Sequence, residues 1–521
     1  MPPSSKAPGH GGSSQTGPSF KPPPRRGLWL VSVLLGLAVL AAGLLVVPDW
    51  LAERDCGGSE LTDRGGECVG VTDGSPPFLP PEAGEEQADR FREIQRLIES
   101  ENARVAADGG TAVKVGLLST LTADERSPHS PDRILHALEG AYTAQLRANH
   151  GRQLGDPTPQ IQLLLANAGS RHDKWEPAVD RLVEMADDAV PLVAVAGLSM
   201  STDHSRAAAE RLAEHGIPLV GASASADRLN AETVPGLVRV TASNTDFVTS
   251  LAAYAHARDD LDRAVLVHDT RAPDLHVRTL TEAFRAELAP ELGDNPDQPF
   301  QGTTIGESAA PALFRAAVQN VCATEADMVL FAGRAADLNA FVESLHSRPC
   351  RDRPISVLFA ETGPVIAESE QQRLAESRVT VVQASAMDPA WSANAGANPE
   401  APAGFADFYA AFEENVPAEE DVPAALRDGY AVANHDAVAV AVQAIRVTHA
   451  EAPDIPVTAG RVTDALFLLH LDNAVRAAGG TLSFDADRAG DPGGKPVPII
   501  ETPPGPDRPD LYTTPQSGPD S

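Results

Sequence analysis

Three serines, Ser199, Ser223 and Ser225, stand in two short turns, residues 197–202 and 221–226, and each turn follows an apolar run of strand character. Hydroxyls set this way suit hydrogen-bond donation to a small ligand. A carboxylate wants such convergent donors, and the helical segment starting near Ser201 adds N–H groups and a favourable dipole. Serines after strands also serve as helix caps and turn formers. Nucleophilic chemistry fits poorly, because Gly197-Leu-Ser-Met-Ser201 lacks the closing glycine that lets a nucleophile elbow turn into its helix. His268 and Asp269 have no second ligand set beside them for a metal or an acid–base pair. No phosphate loop or dinucleotide fingerprint occurs. The expectation is a protein that is not an enzyme, with no catalytic residue, cofactor or metal.

The elements that must hold these serines alternate. Residues 192–196 read as a strand, the segment after the first turn as a helix ending at Gly216, and residues 217–220 as a second strand. That is a βαβ unit of a parallel sheet. Both turns then lie at the carboxyl edge of the strands, where open α/β sheets bind ligands. Further strands are expected at 113–118, 161–165, 237–240, 264–268, 328–331, 355–359 and 379–382, with helices between them. Two α/β halves are laid end to end. Residues 403–412, 424–446 and 459–478 read as helices with little strand between them, and 482–484 with 497–500 as a hairpin-like tail.

The chain has 521 residues, 42% of them hydrophobic, and a formal net charge of -32. That is ample for a large core and repels nucleic acid. Almost all positive charge is arginine, and the richness in Ala, Pro, Gly and Asp resembles a high-GC bacterial composition. Residues 1–26 are basic, rich in Pro, Gly and Ser, and expected to be a disordered cytoplasmic tail. Residues 28–47 carry no charge, long enough as a helix to cross a hydrocarbon core of ~30 Å. Residues 27–47 are therefore read as a retained single-pass membrane helix, with the N-terminus cytoplasmic and the rest extracellular. A cleaved signal peptide has a shorter apolar core, and a lipoprotein anchor needs small apolar residues before Cys56. The four cysteines form two pairs, Cys56 with Cys68 and Cys322 with Cys350, in a compartment that permits disulfides. Cys322 and Cys350 close successive helical segments, which puts them at the pole of the sheet opposite the serine turns. Residues 48–110 read as an extracellular stalk, whose helix over 86–102 docks Phe91, Ile94, Leu97 and Ile98 on the domain or offers them to a partner. Residues 501–521 are expected to be a loose tail.

In order along about 113–500, the stretches VGLLSTLT (115–122), LEGAYTAQLRAN (138–149), AGLSMST, GASAS, VRVTASNTDF (238–247) and GGTLSFDADRAG (479–490) resemble the type I periplasmic binding proteins, in the branched-chain amino acid binding protein and receptor ligand-binding branch. The resemblance implies two lobes, about 111–242 plus 403–500 and about 243–402, that close on a small polar ligand. It assigns Ser199, Ser223 and Ser225 to the ligand carboxylate, lets Thr120 and Thr122 face the same cleft, and gives Glu361 to a ligand ammonium. Where the family often has Tyr-Gly, this chain reads His268-Asp-Thr-Arg271, so Arg271 offers a cation to an anionic ligand instead. The implied roles are delivery of solute to an ABC permease, sensing through a signalling partner, or an envelope domain that no longer binds solute.

Overall fold

The computed structural model describes residues 56–57, 60–81, 83–124, 127–271, 274–302, 310–394, 396–416 and 421–516. The chain divides into two units, Met1–Glu53 and Arg54–Ser521, and the described residues belong to the second. The apolar run 28–47 lies outside them. Among the described residues, no helix is long and apolar enough to cross a membrane.

Apolar runs buried on both faces make the two sheets, as parallel strands covered by helices require. The first lobe is built from β1 (Leu61–Arg64), β2 (Glu67–Thr72), α1 (Glu85–Asp108), β3 (Ala112–Ser119), α2 (Pro131–His150), β4 (Gln160–Asn167), α3 (Glu176–Glu184), β5 (Leu192–Gly197), α4 (Asp203–Glu214), β6 (Leu219–Gly221) and β7 (Leu237–Arg239). Its sheet order is β1-β2-β4-β3-β5-β6-β7. The second lobe follows with α5 (Asn244–His256), β8 (Ala264–Asp269), α6 (Leu275–Glu287), β9 (Gln298–Phe300), α7 (Arg315–Ala323), β10 (Met328–Ala332), α8 (Ala335–Leu345), β11 (Ile355–Glu361) and β12 (Val379–Ser385). Both sheets are parallel except at their edges.

The chain then returns to the first lobe. Helix α9 (Phe405–Asn415) leads to α10 (Tyr430–Glu451), whose Val438, Val442 and Ile445 share one core with Leu135 and Leu138 of α2 and Phe91 of α1. After α11 (Ala459–Leu466) come β13 (Val475–Ala477), β14 (Gly480–Leu482), β15 (Pro496–Val497), β16 (Ile499–Thr502) and β17 (Tyr512–Thr513).

Four expectations change here. The segment read as stalk adds β1 and β2 to the first lobe, extending its sheet antiparallel to β4, while α1 docks Phe91, Ile94 and Ile98 in the main core as its pattern led one to expect. The helix expected to run to 478 stops at Leu466, and a short hairpin of β13 and β14 follows. The second lobe takes its edge strand from the C-terminal region, since β16 pairs antiparallel with β12. The tail is ordered through Gln516: β17 pairs with β15, and Thr514, 1% exposed, bonds the Lys495 backbone. Apolar and hydroxyl groups spaced by prolines suffice for that docking although the segment reads as loose. Both disulfides form as paired in the sequence, Cys56–Cys68 and Cys322–Cys350.

Candidate functional site

The lobes meet near the carboxyl ends of their strands, where Ser225 reaches His276 and Thr202 reaches Asp274, and backbone geometry shapes the first lobe's side. Gly197 has φ 112°, and a Cβ there would collide with the Leu118 carbonyl. Leu198 follows at φ 57° and donates its N–H to that carbonyl at 2.7 Å. The turn so tightened brings Ser199 beside Ser119, whose hydroxyl is 3.2 Å from the Ser199 hydroxyl. Ser223 Oγ donates to the Ser199 carbonyl at 3.1 Å. Ser199 and Ser223 therefore converge. Among the described residues, neither of their backbone N–H groups has a protein acceptor. Hydroxyls and unclaimed N–H groups in one place make a cradle for an oxyanion.

Ser225 turns elsewhere. Its Oγ lies 3.0 Å from Nδ1 of His276, on α6 of the second lobe. The N-terminus of α4 is also less open than the sequence suggests. Thr202 caps it, accepting from the Ser205 N–H at 3.1 Å, and Thr202 forms a backbone bridge to Asp274 of the other lobe.

Thr120 belongs to a chain of polar groups. Its hydroxyl is 3.1 Å from His129 Nδ1, and His129 Nε2 is 3.2 Å from the Tyr430 hydroxyl. The guanidinium of Arg133, on the first turn of α2, lies over the Tyr430 ring at 5.4 Å. Thr122 is committed to structure instead: its hydroxyl donates to Glu67 of β2 at 3.0 Å and receives Asn167 at 3.2 Å.

From the second lobe, Glu361 ends β11, and its Oε1 accepts the Thr362 N–H at 3.0 Å. Its charge acts on Arg133, Tyr430, His276 and Arg334, so these groups from both lobes form one cluster. Arg334 follows β10 and holds Asp274 through two bonds of 2.8 Å. Burial opposes its charge, yet Asp274 and Glu361 outweigh burial and raise its pKa. Burial, then the charges of Arg133 and Arg334, push His129 down to about 3. Burial and Arg334 do the same to His276, against the pull of Glu361. Both imidazoles are neutral at ordinary pH. Burial first, and then Glu361, raises the Tyr430 phenol.

Of the residues singled out in the sequence, Ser199, Ser223, Thr120 and Glu361 lie at this edge, and Ser225 joins it by way of His276. Arg271 is exposed on the loop before α6, where its backbone N–H donates to Asp269 at 2.8 Å. The cations of the cluster are Arg133 and Arg334, which the sequence reading passed over together with His129, His276 and Tyr430. Arg334 stands two residues past the end of β10, and the reasoning that picked Glu361 at the end of β11 would have found it there.

No protein-family model and no curated protein sequence matches the chain. Solved structures do. A leucine-binding protein LivK from Thermotoga maritima superposes with a TM-score of 0.54 at 15% identity, over 78% of this chain and 99% of that one. The branched-chain amino acid transporter substrate-binding protein LivJ from Streptococcus pneumoniae, in complex with isoleucine, gives 0.52 at 16%, over 78% and 100%. An ABC transporter solute-binding protein from R. palustris, in complex with 4-hydroxybenzoate, gives 0.53 at 14%, over 77% and 97%. The fold is that of the type I periplasmic binding proteins. Within that fold, Arg133 and Tyr430 of the first lobe and Glu361 and Arg334 of the second act on one another's charge.

Proposed function

We propose that this type I periplasmic-binding-protein fold binds a small amino-acid-like solute between its lobes, without chemistry on the solute, for ABC-type uptake. The observation that carries the reading is the pairing of charge across the cleft: Arg133 enters from the first lobe and Glu361 from the second, in one cluster. An α-carboxylate suits the Ser199 and Ser223 N–H groups and the hydroxyls of Ser199 and Thr120, with Arg133 near. An ammonium suits Glu361. Binding would draw the lobes together, and closure is the signal a permease reads. The uncharged run at 28–47 supports a membrane anchor that keeps the domain on the outer surface.

Thermal shift against the common amino acids tests this, because a ligand bound only by the folded state raises the midpoint by mass action. A solute that raises it for the wild type should lose that effect in Glu361→Gln and in Ser199→Ala/Thr120→Val. If both variants respond as the wild type does, the site is elsewhere. The envelope-domain reading draws on the ties that already join the lobes, Ser225 to His276 and Thr202 to Asp274. It expects no solute to shift the midpoint at all.

A further inference from the structure

The charge of Arg334 acts on two imidazoles, His129 and His276, and only one of them has both nitrogens engaged. His129 is bonded at Nδ1 by Thr120 and at Nε2 by Tyr430. His276 is held just as firmly, with Ser225 at Nδ1, its N–H on the Ser201 carbonyl at 3.3 Å, and its carbonyl accepting Asn244 at 2.8 Å. Yet its Nε2 is buried with no partner among the described residues. The residue is 4% exposed, and the charges that act on the ring are those of Arg334 and Glu361. A buried polar atom left unpaired is a standing cost unless something else comes to meet it.

Charge counting limits what that can be. Arg133 and Arg334 are matched by Glu361 and Asp274, and Asp428, which also acts on Arg133, is 2.8 Å from His136, whose charge it favours. The cleft is balanced before a solute enters, and a zwitterion leaves it balanced. An extra carboxylate on the solute would bury an unmatched charge, and a hydrocarbon side chain would leave Nε2 unpaired. The ring is neutral, so Nε2 donates or accepts according to which way the Ser225 hydroxyl points. Carboxamides and hydroxyls answer either case, while a carboxylate only accepts.

Resting on the amino-acid-like reading above, we infer that the solute is a neutral amino acid whose side chain ends in a carboxamide or a hydroxyl, received by Nε2 of His276. His276 is then the residue that sets specificity for that side chain.

The test is calorimetric titration of the full chain with L-glutamine, L-serine, L-leucine, L-glutamate and 4-hydroxybenzoate. The inference expects glutamine or serine to bind about tenfold or more tightly than leucine and glutamate, since a site built to bond a polar group rejects analogues lacking it. His276→Leu should bring that preference below threefold, and His276→Gln, which keeps a donor and an acceptor, should retain part of it. If His276→Leu fails to fold, the wild-type ranking and His276→Gln still decide. Leucine or glutamate binding as tightly as glutamine overturns the role of His276 and leaves the amino-acid reading intact. Binding of 4-hydroxybenzoate alone overturns the zwitterion while keeping a solute-binding protein, and no binding by any of the five overturns both.

Discussion

Arg334 grips both carboxylate oxygens of Asp274, each at 2.8 Å, and the Asp274 carboxylate caps α6 through the Val277 N–H at 3.2 Å. The same residue makes the backbone bridge to Thr202, so one ion pair in the second lobe holds the strip that touches the first. The Asp274 side chain is 1% exposed and that of Arg334 17%. Arg334→Ala would strand the buried carboxylate, and the expected loss is about 3–5 kcal/mol of unfolding free energy in a denaturant titration. Arg334→Lys should recover only part of it, because an ammonium cannot match two oxygens in a plane. A loss below about 1 kcal/mol for Arg334→Ala would mean that the pair is solvated.

Acid should unfold the protein early. Burial before all else holds His129 and His276 down to about 3 and His172 to about 4, from an ordinary value of 6.5. The unfolded chain takes up these protons first, so the stability is full above pH 6.5 and falls as pH drops through 6.5 toward 3–4. Between pH 7.5 and 5.0 each histidine removes about 2 kcal/mol. His136 works the other way, since Asp428 outweighs burial and raises it. His172 is the cleanest to remove: both its ring nitrogens are buried without a partner among the described residues. Denaturant titrations at the two pH values should show a slope against pH shallower by about 2 kcal/mol in His172→Phe than in wild type. An unchanged slope would sink the assignment.

Helix α1 is a structural member of the first lobe. Phe91 is fully buried, and Asn102 donates to the Leu163 carbonyl at 2.7 Å while accepting the Leu163 N–H at 2.8 Å. That is the pairing an adjacent strand would make with β4. Phe91→Ala should cost about 3–5 kcal/mol, and a chain that begins at residue 111 should be insoluble. Recovery of a monodisperse, cooperatively unfolding protein from that truncation would restore the stalk reading.

Why the sequence hid this is physical. Strands β1 and β2 are short, 4 and 6 residues, and sit among glycines, so their periodicity is too brief to register. Nine of the ten parallel strands of the alternating region were legible because apolar runs bounded by turns have few other readings, whereas β9, only Gln-Pro-Phe, offers no such run. The site divides in the same way. Turn serines and a strand-end glutamate announce themselves by position. His129, Arg133 and Tyr430 meet only because α2 and α10, some three hundred residues apart in sequence, pack side by side, and no local pattern encodes that. Thr122 shows the converse: its position suits the cleft, and a partner on β2 takes its hydroxyl.

The packing of α2 on α10 turns on Gly140. A Cβ there would run into the Ala431 carbonyl of α10, so the two helices touch backbone to backbone. In an exposed helix, replacing glycine by alanine stabilises by roughly 1 kcal/mol. Here the neighbour is main chain and cannot swing aside, so Gly140→Ala should destabilise by about 1–3 kcal/mol instead. Ala431 adjoins Tyr430, and pushing α10 away would lengthen the bond from the phenol to His129, loosening the hold on Arg133. Solute affinity should therefore fall in Gly140→Ala even at temperatures where the variant is fully folded. A variant more stable than wild type, with solute binding unchanged, would show that the helices are further apart than this contact requires.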